Sequence, residues 1–501
     1  MGSILKQSSS KLRLVEAIAV ALIVTVFIAY EVTYVNNIDD YISDECWYVS
    51  AARSIMRKIF NVTPKFVGEN ITVTIEIASP IDSEQYHNWI YDLKNFIIYG
   101  LKGKIVKDES YYAYNDQGNY LPAVCAEIPK KGLKFLHLAP HEKQYAIGYC
   151  YPNAKGVLDY LNLEHPPLAK YVIGLTLYLI GDKPILWRIP SILLAAITLI
   201  LMYLSIRRII PEVNTAIVLG IMAMLVTIFD ITFRSLSMVA MLDIYVAFFT
   251  YLTYYLALRS SLSLAIITLG LSASSKFNGA FPFLAVIAKI IKEVDWRKAL
   301  ILIALVFAIP ITLFFMLSIP LITYLGFETW WTNGVTGAIG WHLSVKTLGG
   351  PPQSAPWEWL LGINPFPLHL IYDPNTGQWV ADLIARGNPP LYLLTLALSL
   401  FLIPVFKDLP DEGYTYVYTW STYLFYILIW FLGAKTQYSF YMVQLVPLLY
   451  TLLFIEIWYL LTPLNKVLYV LRAWKGALKS LFDILSKVHK IICYLIRGRL
   501  E

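Results

Sequence analysis

Asp44 and Glu45 stand side by side in the stretch IDDYISDECWYVSAARSI (Ile38 to Ile55), just after the first long apolar run. With Asp39 and Asp40 they make four carboxylates within seven positions, in a chain that otherwise avoids charge. A carboxylate beside low-dielectric walls can remove a proton from a hydroxyl. One such base suffices when the leaving group is a phosphate, which departs without taking a proton; glycoside hydrolysis needs two carboxylates. The same chemistry asks for positive charge near the departing phosphate. A structural reading competes. Acidic residues in the first turn of a helix over CWYVSAARSI favour its dipole, with Asp44 at the N-cap or in the first turn. Adjacent helix positions point about 100° apart, so the two carboxylates need not share a task.

Cationic candidates follow. LEHPPLAKYVIG offers His165 and Lys170, and KPILWRIPSILL offers Arg188. FDITFRSLSMVAMLDIYVAFF places Arg234 and Asp243 around one helix end, and SASSKFNGAFPFL puts Lys276 and Asn278 between two apolar runs. Taken singly, each reads as a snorkelling or loop charge. Taken together they carry more weight, because ionisable residues at membrane depth are costly and are usually paired or functional.

The elements that must position these residues are membrane spans. Hydrophobic residues make up 57% of the 501 and charged residues 15%, against about 25% charged in a soluble domain. Mean hydropathy is +0.58. Apolar runs predict spans near 14–36, 186–206, 213–230, 238–257, 261–275, 279–292, 298–320, 390–406, 414–433 and 438–461. The first lacks a small-residue cleavage site and is expected to be retained. A run near 166–180 is short and flanked by proline, so it is expected to lie at the interface or re-enter.

Lys6, Lys11 and Arg13, then Arg207 and Arg208, then Lys292, Arg297 and Lys298, then Lys407 all fall on one side if run 166–180 does not cross. That side is expected to be cytoplasmic, with both termini on it. No basic stripe with interleaved aromatics appears in a polar segment, which argues against a nucleic-acid partner.

The expected layout is an N-tail and first span (1–36), an outer segment (37–164), a juxtamembrane helix and core spans (165–320), a second outer segment (321–389), last spans (390–463) and a basic tail (464–501). Within the first outer segment, ITVTIEIA alternates like a strand and DSEQYHNWIYDLKNFIIYGL has helical spacing, so a small α+β insert is expected over about 60–155. KGKIV and YAIGYCY read as further strands. Asn61-Val-Thr and Asn70-Ile-Thr are sequons there. Cys125 and Cys150 lie in one polar segment and can pair if it is outside; two free thiols are the alternative. Cys46 and Cys493 have no evident partners. The tail alternates apolar and basic residues at helical spacing and reads as a surface helix on an anionic leaflet, or as a partner-binding helix.

In order along the chain, SDECWYVSAARSI, EHPPLAKYVIGLTLYLIGDKPILWRIPSIL, FRSLSMVAMLDIYVAFF and SKFNGAFPFL resemble the protein O-mannosyltransferase family, of the GT-C superfamily. The resemblance runs on through WHLSVKTLGGPPQSAPWEWLLGINPF, RGNPPLYLL and YSFYMVQLVPLLY, and covers most of residues 38–450. It implies an all-α polytopic membrane protein of GT-C type; with the apolar runs and the strand pattern above, the expected fold has about 10–11 transmembrane helices, juxtamembrane helices and the α+β insert.

It also implies a plasma-membrane enzyme that moves mannose, or a related hexose, from dolichyl or polyprenyl phosphate to Ser or Thr of a protein on the outer face, with inversion. By position the family's Asp-Glu pair is Asp44 and Glu45, Asp44 as base and Glu45 as orienting group. Lys170, Arg188, Arg234 and Lys276 are candidates for the donor phosphate. His165, Asp243, Asn278 and His342 are candidates for supporting or acceptor-groove roles. Some relatives in the superfamily use a divalent ion, Mg or Mn, for which Asp44, Glu45 and His165 are the candidates; the family motif does not require one. Whether the chain pairs with itself or a relative is open.

Three departures stand out. The second outer segment holds no β-trefoil domain, about 100 residues separate the Asp-Glu helix from HPPL, and the tail is long and basic. The compact chain is prokaryotic in style and would suit an archaeal membrane. A lipid or glycan acceptor, as in aminoarabinose transferases, is the nearest alternative. A non-catalytic scaffold or transporter is the alternative of another class.

Overall fold

The computed structural model describes residues 2–66, 68–78, 83–107, 121–344, 353–406, 409–461 and 465–497. The first apolar run forms α1 (Gly2–Val35). The chain then turns through Ser43, held at φ 51°, and enters α2 (Glu45–Lys58). Tyr48, Val49 and Ala52 of α2 sink into the main helical core, while Ile55 packs with Leu321 and Trp330.

The insert follows: β1 (Asn70–Ile77), α3 (Ser83–Asn95), β2 (Lys104–Lys107), β3 (Ala123–Pro129) and β4 (Glu142–Ile147). Its antiparallel sheet has the order β2-β3-β1-β4. The alternation seen in ITVTIEIA places Ile71, Val73, Ile75 and Ile77 in one core with Tyr86, Ile90 and Leu93 of α3. Strand β3, which the sequence reading passed over, pairs with β1 from Asn70↔Pro129 to Glu76↔Ala123. Cys125 of β3 is bonded to Cys150 at an S–S distance of 2.05 Å.

The insert rests on α2. Arg57 donates to the carbonyls of Tyr145 (2.9 Å) and Leu158 (2.7 Å) and to Gln144 Oε1 (3.2 Å). Arg53 pairs with Asp182 at 2.9 Å, and its guanidinium lies 3.7 Å from the centre of the Tyr151 ring. Gly148 sits at φ 122°, and a Cβ there would stand 2.1 Å from Asp182 Oδ2, so only glycine fits this crossing.

The helical body continues with α4 (Leu168–Leu179), α5 (Pro184–Ile209), α6 (Val213–Phe229), α7 (Ile231–Ser237), α8 (Leu242–Leu258), α9 (Leu262–Ser275), α10 (Phe283–Glu293) and α11 (Trp296–Leu325). Pro184 opens α5, where its missing N–H costs nothing. Asp295 caps α11 by accepting from the backbone N–H groups of Arg297 and Lys298.

Short helices α12 (Phe327–Trp330), α13 (Gly337–Ser344) and α14 (Pro356–Leu361) lead to a hairpin, β5 (Phe366–Asp373) and β6 (Gln378–Ala385). Then come α15 (Pro389–Phe406), α16 (Pro410–Phe431), α17 (Val446–Leu461) and α18 (Asn465–Arg497). The hairpin was not anticipated. Lys407, residues 345–352 of the WHLS motif and the side chain of His342 lie outside the described residues.

Each of the ten expected spans coincides with a helix. Among the described residues α1, from Leu12, and α5, α11 and α15 are individually long and apolar enough to cross a membrane; counting the bent pairs α6–α7 (72°) and α17–α18 (102°) gives six. The other runs are shorter or more polar. Helices α8 and α9 are buried along most of their length, so protein rather than lipid covers their backbones. The run at 438–461 opens as a 3-10 turn (Ser439–Gln444) before α17 begins. The chain is thus a helical integral membrane protein carrying two small sheets.

Candidate functional site

Glu45 and Arg188 form the buried centre of the Asp-Glu region. Both side chains are fully excluded from solvent. Arg188 Nε donates to Glu45 Oε1 at 2.9 Å, and a second guanidinium nitrogen donates to Oε2 at 2.8 Å. The backbone N–H groups of Ile42 and Ala240 also donate to this carboxylate, each at 2.8 Å. The rest of the guanidinium is spent on the carbonyls of Val35, Ile38 and Asp40. Such full satisfaction is what allows an ion pair to be buried. It also leaves Glu45 no free lone pair facing a substrate and Arg188 no free donor.

Asp44 differs in every respect. It occupies the N-cap of α2, yet its side chain makes no capping hydrogen bond. It is half-buried and lines a cavity of ≈ 700 Å³. Burial pushes its pKa up to about 6; the nearby Lys276 and the Tyr48 hydroxyl pull it back down, while Asp243 adds to the rise. A carboxylate so placed is a competent base near neutral pH.

The cavity walls are aromatic. Trp47 and Tyr160 meet edge to face at 5.4 Å, and Tyr438 and Phe440 stack at 5.3 Å. Glu164 and His165 also line it.

A second cavity, ≈ 400 Å³ and largely apolar, shares His165 and Ala338 with the first. Lys276 lines it. The ammonium is 2.9 and 3.0 Å from the two oxygens of Asp243 and 4.2 Å from the Tyr441 ring centre. Lys276 follows the last residue of α9 in extended backbone, and Asp243 lies in the first turn of α8, so the two helix ends bring them together. Asn278 lines the same cavity; its amide nitrogen donates to the Tyr426 hydroxyl at 2.6 Å, and its buried Oδ1 has no partner among the described residues.

The structure therefore gathers Asp44, His165, Lys276, Asp243 and Asn278 around two joined cavities. Lys170 and Arg188 line neither. Lys170 is fully buried and donates to the carbonyls of Asn162 and His165, pinning the loop that carries Glu164 and His165. Arg234, on α7, acts electrostatically on Glu31 and Tyr34 of α1 and lines neither cavity. His342 falls within α13, without a described side chain. Glu164, Tyr160 and Trp47 went unselected in the sequence reading, although Glu164 directly precedes the HPPL motif. Among the described residues no group of three or more His, Cys, Asp or Glu side chains is gathered to hold a metal ion.

No curated protein sequence matches the chain. Two solved structures are similar to parts of the chain: ArnT from Cupriavidus metallidurans in the apo state, and the same protein bound to undecaprenyl phosphate. Each is 14% identical; they cover 59% and 65% of this chain, with TM-scores of 0.39 and 0.40. The matches take in 49% and 54% of those chains, about half their length. Residues 164–324, which hold His165, Lys276, Asp243 and Asn278, match the family model described as dolichyl-phosphate-mannose-protein mannosyltransferase. That stretch is therefore similar to a dolichyl-phosphate-mannose-protein mannosyltransferase domain.

Proposed function

We propose that the protein transfers mannose, or a related hexose, from a dolichyl or polyprenyl phosphate to Ser or Thr hydroxyls of proteins, on the outer face of the membrane. The observation that carries this reading is the juxtaposition of a carboxylate that caps no helix and lines the larger cavity, Asp44, with a cation that lines the apolar cavity, Lys276. The lipid-linked donor enters the apolar cavity with its phosphate toward Lys276. Asn278 Oδ1 is available to a sugar hydroxyl.

The acceptor hydroxyl lies in the larger cavity beside Asp44. Its oxygen attacks the anomeric carbon as Asp44 takes its proton, and the bond from that carbon to the phosphate oxygen breaks. The phosphate leaves with the electron pair, stabilised by Lys276. One displacement inverts the anomeric configuration. Glu45, locked by Arg188, holds the start of α2 and so the position of Asp44. The insert, clamped to α2 through Arg53 and Arg57, serves the same end.

The test is direct. The purified protein in lipid is given radiolabelled dolichyl-phosphate mannose and a Ser/Thr-rich peptide. Label on the peptide supports the reading. Label only on an added lipid or glycan acceptor overturns the protein-acceptor part, and no transfer to any acceptor, with donor still bound, points to a non-catalytic role.

A further inference from the structure

Among the described residues, the lysine, aspartate and glutamate side chains that line the two cavities are divided by sign, while His165 lines both. The larger cavity presents two carboxylates, Asp44 and Glu164, and among the described residues no lysine or arginine lines it. The cation Lys276 lines the apolar cavity. Lys170 lies behind the Glu164 loop, caged by backbone carbonyls; its ammonium acts electrostatically on Glu164 but does not line the cavity. Glu164 is held in place on one side only. Its Oε1 accepts from the hydroxyl of Tyr160 and from Asn162 Nδ2 at 2.9 Å, whereas its Oε2 has no hydrogen-bond partner among the described residues. Trp47, Tyr160, Tyr438 and Phe440 line the same cavity as Glu164. Aromatic faces and carboxylates together suit a cation.

We infer that Glu164 selects the acceptor by charge: the larger cavity takes a hydroxyl acceptor with a positive charge close to the reacting group, such as Ser or Thr flanked by lysine or arginine. This rests on the protein-acceptor reading above and sharpens it. Asp44 takes the proton from the hydroxyl, while Glu164 receives the flanking cation. The anionic phosphate of the donor is kept to the other cavity by the same separation of charge. Acceptors carrying phosphate groups are disfavoured because they would meet two carboxylates.

The experiment uses the full chain in lipid, labelled dolichyl-phosphate mannose and three peptides that differ only at the residues flanking one threonine: lysine, alanine or glutamate. The wild type is expected to give a kcat/KM about tenfold higher for the lysine peptide than for the glutamate peptide. The preference should shrink in about 0.5 M salt, which shortens the screening length to a few ångströms. Glu164→Gln should flatten the series by lowering the lysine peptide most. Equal kcat/KM for all three peptides in the wild type overturns the inference, as does a preference that survives unchanged in Glu164→Gln. Because the wild-type series stands alone, a poorly folding variant does not decide the matter. Absence of transfer to every peptide, with transfer to a lipid or glycan, overturns the protein-acceptor reading and this inference with it.

Discussion

Glu45 and Arg188, 143 positions apart in the chain, meet in a doubly hydrogen-bonded pair from which solvent is wholly excluded. Its neighbour Asp44 makes no capping bond and opens into a cavity. In the proposed reaction the Asp-Glu pair divides its labour, one carboxylate holding the scaffold and the other taking the proton.

Asp44→Asn is expected to lower transfer by about 100- to 10,000-fold, the usual contribution of a positioned base. Donor binding and expression should hold, because the side chain caps no helix. Turnover within a factor of a few of wild type, measured with saturating donor, would remove Asp44 from the role of base.

The pH profile follows from the same residue. Its pKa is raised to about 6, so the reactive anion dominates above that value and is lost below it. kcat/KM should therefore plateau toward neutrality and fall about tenfold per unit on the acid side. A flat profile between about pH 5 and 7 would contradict proton removal by this group.

Replacing Arg188 by leucine leaves a buried carboxylate without its partner. The expected cost is about 3–5 kcal/mol, read as a drop in thermal midpoint of the detergent-solubilised protein. Glu45→Gln/Arg188→Leu together should cost less than Arg188→Leu alone. If the two proteins melt alike, the pair is not the coupled unit described.

Lys276→Gln removes the only lysine or arginine from the apolar cavity's lining. KM for the lipid-linked donor should rise roughly 10- to 100-fold, as for loss of a charged hydrogen bond. Lys276→Arg should recover part of it. An unchanged dependence on donor concentration in the glutamine variant would place the phosphate elsewhere.

The Cys125–Cys150 bridge should appear in mass mapping of the unreduced protein as one cross-linked peptide pair. Cys125→Ser/Cys150→Ser should destabilise the insert by about 3 kcal/mol. Alkylation of both thiols without prior reduction would show that the bond is absent.

Much of this was legible in local pattern. The helix positions follow from apolar runs, and β1 follows from strict alternation. The Asp-Glu pair and Lys276 stand out because charge is rare here. What stayed hidden depends on distant partners. Nothing near Arg188 shows that carbonyls and Glu45 will use all its donors, and nothing near Lys170 reveals its carbonyl cage. Glu164 was overlooked because a glutamate beside HPPL looks like an ordinary loop charge until the cavity places it opposite aromatic walls. The β5–β6 hairpin did carry a signal, Asp373-Pro-Asn-Thr-Gly between two apolar stretches, which is strong turn chemistry.

The Glu45 network also sets a timetable for biosynthesis. The ribosome makes α2 early, but of the groups that satisfy Glu45 only the Ile42 N–H is already present; Arg188 comes later, and after it the backbone of Ala240, 195 residues downstream of Glu45. Until then a naked carboxylate cannot leave water without a cost of several kcal/mol. The reactive end of α2 must wait, undocked, while several further helices are made. A nascent chain arrested before α5 should expose Arg53 and Arg57 to trypsin, and one arrested after α8 should shield them.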